Sequence, residues 1–229
     1  MEGNLYWTRG QQSCAVGLTV NGGGRAVPGQ KAPEEQRREQ ILVAAYDVAS
    51  QDGLAGLTVR AVAARAGLSH GLVLFHFKRK DQLVQALLDS VLAATLVLDV
   101  PAEIAALPRP LDRLRTLLRR EVDRLAHEPD RIRLLLECWA LGARDAETRQ
   151  TVGRALARYR AEFAPLAQEV LASESSGFAR VTPMGLAAVT VGLINECAIQ
   201  GSVDPEHFVM NDYLTAVQGL VGGLAYPAG

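Results

Sequence analysis

The chain has 229 residues, 48% of them hydrophobic, 5% aromatic and 21% charged, which excludes a disordered or collagen-like chain and leaves enough apolar material for a sizeable core. Lys and Arg number 24 against 25 Asp and Glu, so a formal net charge of −1 gives the chain as a whole no footprint for nucleic acid or membrane, and any polyanion site must be local. Three cysteines, Cys14, Cys138 and Cys197, with no C-x-x-C pair, suggest neither a disulfide framework nor a zinc site, so no metal and no cofactor are expected and a reducing cytoplasm fits best.

In chain order, residues 1–33 hold Gly22, Gly23, Gly24, Pro28 and Pro33 and no sustained period, which reads as a flexible amino-terminal tail because ordering it would cost entropy without burial to offset it. Glu2, Arg9, Gln11 and Gln12 break up the start, so a signal peptide is not expected. The stretch from Val91 to Leu98 falls short of the roughly 18–20 residues that span a bilayer, so no membrane segment is expected either. From Glu34 onward Gly and Pro retreat to punctuation and the intervals are apolar-periodic and helix-length, which predicts an all-α chain.

The interval Glu34–Asp52 places Ile41, Ala45, Val48 and Ala49 on one stripe, with Glu34 and Glu35 where the helix dipole favours negative charge. Thr58 caps a second helix whose Val59, Val62, Ala63 and Ala66 share a face, and Gly67 ends it. Ser69 caps a third short helix through Phe77, with Val73 and Phe77 facing inward. Two short helices around a glycine turn are the arrangement that lets the second enter a major groove. Residues 37–80 carry seven basic and three acidic side chains, a local +4, whereas residues 94–229 carry 14 Arg and 17 acids, or −3. That segregation suits an amino-terminal DNA reader, and a solvated helical face would produce it equally well.

A fourth helix is predicted from near Arg79 along Leu83, Leu87, Val91, Ala94 and Leu98 to Pro101. Further stripes run through Leu111, Leu114, Leu118, Val122 and Leu125, through Ile132, Leu135, Leu136 and Trp139, and through Val152, Leu156, Tyr159, Phe163, Leu166 and Val170, as in a bundle. Two last segments, 182–200 and 206–224, are apolar on more than one face and want burial on both. No phosphate loop, H-E-x-x-H or G-x-S-x-G occurs and His70, His76, His127 and His207 have no ligand spacing, so an enzyme is not expected.

The residues R-x-x-I-L-x-A-A from Arg38, T-V-R-x-V-A-x-x-A-G-L-S from Thr58 and F-K-x-K-D-x-L from Phe77 resemble the amino-terminal domain of TetR-family transcriptional regulators over residues 34–88. The resemblance implies a three-helix DNA-binding domain over 34–80 and a helical effector-binding and dimerisation domain over 81–229. Carried across, Thr58, Arg60, Ser69 and Lys80 would meet phosphate or groove edge, His70, Gly71 and Leu72 would face bases, and His76 would donate to phosphate. Gly71 would permit close approach and Leu72 could meet a thymine methyl. The chain departs from the family at Leu74, where a tyrosine is usual, and for Leu74 and Phe75 burial stays open beside DNA contact.

The run from Gly192 to Pro205 is weakly similar to the choline-responsive repressor subgroup. The layout implies a homodimer through the segments 182–200 and 206–224, a double-stranded operator as partner and a small-molecule effector. Glu121, Trp139, Tyr159, Phe163, Asn195 and Glu196 are the residues that could line its pocket, although Glu121 could instead pair with Arg124 or Arg120 on a solvated surface. The other reading is a helical interaction protein of the same shape that no longer binds DNA.

Overall fold

The structure is a computed structural model that describes residues 33–96, 98–173 and 180–225, the last five as backbone only. The expected tail before Pro33, with Cys14, lies outside the described residues, as do the side chains that would close the 206–224 segment. All regular structure among the described residues is α-helical: α1 (Glu34–Gly56), α2 (Val59–Ala66), α3 (His70–Phe77), α4 (Lys80–Thr95), α5 (Ala102–Ala105), α6 (Pro110–Ala126), α7 (Pro129–Gly142), α8 (Ala146–Ser173), α9 (Pro183–Val203) and α10 (Met210–Ala225). The described chain divides into two compact units, one of residues 33–95 with 133–152, the other of 96–132 with 153–225.

In the first unit α1 buries Ile41, Ala44, Ala45, Val48 and Ala49 against Val62 and Ala63 of α2, Val73 and Phe77 of α3, and Leu83, Leu87 and Val91 of α4. Leu134 of α7 completes this core. The expected end of the first helix at Asp52 is where its geometry breaks: Gly53 takes φ 71°, ψ 174° before one more helical turn. The break leaves the Leu54 amide without a helical acceptor, and the Glu137 carboxylate of α7 accepts it at 2.7 Å. A Cβ at Gly53 would sit 3.2 Å from Glu137 Oε1, so both the backbone angle and the approach of this carboxylate call for glycine.

The second unit is a bundle in which α9 packs along α6. Leu111, Leu114, Leu118, Val122 and Leu125 of α6 are buried as their spacing predicts. On α8 the buried stripe is Val152, Ala155, Tyr159, Phe163, Ala167 and Val170, with the expected Leu156 and Leu166 only half-buried. Helix α9 is long and apolar enough by length and composition to cross a membrane, yet half of its most apolar window is buried within the protein. The Tyr213 hydroxyl donates to the Leu193 carbonyl at 3.0 Å and ties α10 to α9. Between α6, α9 and α10 lies an apolar depression of about 400 Å³, open to solvent and lined by Leu114, Leu118, Leu186, Val189, Leu193 and Val217.

Candidate nucleic-acid interface

The site is assembled from two capped helices and the turn between them. Thr58, in extended backbone, accepts the Ala61 amide through Oγ1 at 3.1 Å and opens α2. Gly67 closes it with φ 66°, ψ 32°, its amide bonding the Ala63 and Ala64 carbonyls, which is the left-handed stop that glycine adopts without Cβ strain. Ser69 Oγ accepts the Leu72 amide at 3.2 Å and opens α3. Both hydroxyls serve the helices as acceptors, so each O–H proton stays available for an outside acceptor such as a phosphate.

Val73 and Phe77 anchor α3 in the core, and the rest of the helix is displayed. His70 and Gly71 are exposed, Leu72, Leu74 and His76 half-buried, and Phe75 is 73% exposed. Burial of Phe75, left open by its composition, is therefore ruled out, while Leu74 is half-covered. A Cβ built at Gly71 would meet nothing within 4 Å, so no packing inside the protein explains a glycine there.

Positive charge surrounds this helix unevenly. Arg60, Lys78, Arg79 and Lys80 are exposed. Arg38, counted in the local charge excess, instead clamps α1 to α3: its guanidinium donates to the His76 carbonyl at 2.7 Å and lies 4.4 Å over the Phe77 ring. Arg65 bonds Gln51 and lies 4.0 Å from Asp47. His76 holds its Nδ1 buried without a hydrogen-bond partner among the described residues, which leaves Nε2 as the nitrogen for an outside contact. Lys78 ends α3 at φ 45°, a strained angle for a side-chain-bearing residue, and so turns the chain sharply into the Lys80 start of α4.

The residues expected to line an effector pocket are not brought together as a set. Glu121, Tyr159 and Phe163 share the interior of the second unit, each at 0% exposure. Glu121 Oε2 accepts the Tyr159 hydroxyl at 3.0 Å and the Arg124 guanidinium at 2.8 Å, and the Tyr159 ring meets Phe163 edge-on at 5.3 Å. The expected pairing with Arg124 is present, but it is internal; the solvated-surface reading of Glu121 is wrong because the hydroxyl of α8 recruits the carboxylate inward. Burial, with the neighbouring Glu121 charge, pushes the Tyr159 hydroxyl well above the usual phenol range. Burial is the largest single influence on Arg124 and would lower it, but its bond to Glu121 and the charges of Glu121, Tyr159 and Glu128 together outweigh this and the net shift is upward.

Asn195 is 8% exposed with Oδ1 unpartnered, and Glu121 Oε1 is a second buried acceptor without a partner among the described residues. Glu196 faces outward and accepts from Gln200 at 3.0 Å. Trp139 belongs to the other unit, half-buried with its indole Nε1 unpartnered among the described residues. Cys138 and Cys197 are buried, and desolvation pushes both thiols up to about 12. Among the described residues no three His, Cys, Asp or Glu side chains cluster as metal ligands would. Glu137, which braces the break in α1, had no signal in the sequence beyond a glycine following an aspartate in a helix-length interval.

Comparison with known proteins decides between a helix-turn-helix by shape and one by descent. Residues 41–87 match the family of bacterial regulatory proteins, tetR family, and residues 110–224 match the BetI-type transcriptional repressor, C-terminal, family. The chain belongs to the TetR family, with a BetI-type carboxy-terminal domain. These are families of transcriptional regulators rather than enzymes. An HTH-type transcriptional repressor of Mycobacterium tuberculosis is 43% identical to this TetR-family chain over 82 residues, 34% of this chain and 43% of that protein, so the chain spans less than half the length of that relative. A BetI regulator of Burkholderia ambifaria is 28% identical over 171 residues, covering 73% of this chain and 84% of its own. Among solved structures, a protein of Pseudomonas aeruginosa described as a transcriptional regulator superposes with a TM-score of 0.71 at 20% identity, over 85% of this chain and 93% of its own. A regulator of Saccharomonospora viridis in complex with choline does so with a TM-score of 0.64 at 17% identity, over 82% of this chain and 96% of its own. At such identities the two structures establish the TetR-family fold and nothing finer.

Proposed function

We propose that this TetR-family protein is a cytoplasmic homodimeric repressor that grips a pseudo-palindromic operator with one α3 from each subunit and releases it when a small molecule binds the carboxy-terminal domain. The observation that carries the reading is α3 itself, held by two buried anchors, displaying its outer face beside the exposed cations Arg60, Lys78, Arg79 and Lys80. Thr58, Arg60, Ser69, His76 and Lys80 serve the phosphates, and His70, Gly71 and Leu72 serve the bases. Leu72, being half-buried, offers an edge rather than a whole side chain.

Dimerisation is supported by the outer faces of the last two helices. Met184, Ala188, Val189 and Gly192 of α9, with Ala216, Gly219 and Leu220 of α10, are exposed, an apolar set that a second copy would cover. Two-fold symmetry of the protein then dictates an inverted repeat in the DNA. For the effector, Glu121 Oε1, on the carboxylate that also holds the Tyr159 hydroxyl, and Asn195 Oδ1 of the same unit are buried acceptors unpartnered among the described residues, and they favour a ligand that donates hydrogen bonds. It acts by tilting α4 and so resetting the spacing of the two α3 helices, to the extent that it binds one conformation better than the other.

The test is fluorescence anisotropy with labelled duplex DNA at two salt concentrations. Binding that falls steeply with salt is expected, with Lys80→Ala weakening all sequences alike and lowering the salt slope by about one per subunit, and His70→Ala changing preference at one half-site position. The exposed apolar ring of Phe75 favours a second reading, an interaction protein of this fold that has left DNA, and a flat titration at low salt would establish it over the first.

A further inference from the structure

The outward side of α3 contains one large side chain, and it is apolar. At about 100° of rotation per residue, Val73 and Phe77 point to one side of the helix and Phe75 points about 180° away from their mean direction, straight out of the domain. Gly71, one turn earlier, lies next to it on the same side with open space where a side chain would be. His70 and Leu74 flank this line on one side, Leu72 and His76 on the other. When this helix lies in a groove with its outer side down, Phe75 therefore reaches the floor while its neighbours face the walls.

The face is poor in hydrogen-bonding side chains, since His70 is the only polar one besides half-buried His76. Direct readout by bidentate Arg, Asn or Gln is thus absent from α3. The apolar group that base pairs present on the floor of the major groove is the C5-methyl of thymine. We infer that Phe75 is a specificity-determining residue that reads a thymine methyl in each half-site, with Gly71 letting the helix sink far enough for the ring to reach it. Exposed Lys78, Arg79 and Lys80 directly after the helix supply the charge that holds the duplex against this ring. The inference rests on the DNA-binding reading above and names the chemistry by which that site discriminates.

The experiment uses the full chain, wild type and Phe75→Ala, and a duplex obtained by selection from a random library. Each thymine of the half-site is replaced in turn by uracil, which removes the methyl and keeps the base pair. Wild-type affinity is expected to fall about fourfold per half-site at one such position, the size that burying one methyl group gives. Phe75→Ala is expected to bind thymine and uracil equally there while keeping its response elsewhere; because the ring is exposed, its thermal unfolding should match wild type. Wild-type indifference to uracil at every thymine, or a half-site with no thymine, overturns the inference while leaving DNA binding intact. So does a Phe75→Ala protein that is uniformly weaker yet still sensitive at that position, which would put the ring against the sugar-phosphate chain. Absence of salt-sensitive binding by the wild type overturns the DNA reading itself.

Discussion

Gly71→Ala should separate folding from function in opposite directions. Glycine inside a helix costs roughly 0.5–1 kcal/mol relative to alanine. At Gly71 the new methyl meets nothing within 4 Å, so the whole of that gain is available, and it tends to the lower figure because the residue is in the first turn of α3. A melting temperature about 1–4 °C higher is expected for a chain of this size. In the complex the same methyl stands between helix and bases. Overpacking by one carbon costs about 1–3 kcal/mol, so affinity for a selected operator should fall at least about fivefold. Gly153→Ala is the control, a helical glycine of α8 with the same open surroundings, which should stabilise and leave DNA binding unchanged. Thermal denaturation followed by circular dichroism and anisotropy titration of both variants make the comparison. A Gly71→Ala protein that binds its operator as tightly as wild type would refute the close approach of α3, and one that is less stable would refute the open surroundings.

Other expectations follow from the same contacts. Leu220→Glu places a charge in the apolar face of α9 and α10, where Leu220 is 69% exposed, and should shift the protein from dimer to monomer in light scattering; an unchanged dimer would move the interface elsewhere. Tyr159→Phe removes a buried bond to a charged partner and should cost about 1.5–3 kcal/mol in denaturant unfolding, and a change below about 0.5 kcal/mol would show that the bond contributes nothing net. In a Cys14→Ser chain neither Cys138 nor Cys197, with thiols pushed up to about 12, should react with a thiolate-directed reagent at pH 8 until denaturant is added; the thiolate forms only as pH rises toward that value, so rapid native labelling would contradict their burial.

The DNA-binding helices were legible because their signals are local. Thr58, Gly67 and Ser69 are cap residues whose roles follow from backbone geometry, and the buried Ile41, Ala45, Val48, Val73 and Phe77 fall at helical spacing. What escaped depends on contacts distant in sequence. Glu137 bonds Leu54 across 83 positions, and the inward turn of Glu121 depends on Tyr159, 38 positions on. Helix α8 departs from its apolar spacing by a different route: Ala155 and Ala167 take buried places while the larger Leu156 and Leu166 are half-buried, because small residues let helices pack closely and apolar size alone does not mark the inner face. Arg38 shows the limit of counting charge, since a cation engaged with His76 and Phe77 is structural and not part of the surface field.

The central claim, that two α3 helices related by a dimer axis lie in successive major grooves, is tested most directly by sequencing duplexes that the purified full chain retains from a random library. The expected result is an inverted repeat whose half-site centres lie about one helical turn, roughly 34–36 Å, or a multiple of it apart. A single unpaired motif, or retained sequences no different from the starting library, would contradict it.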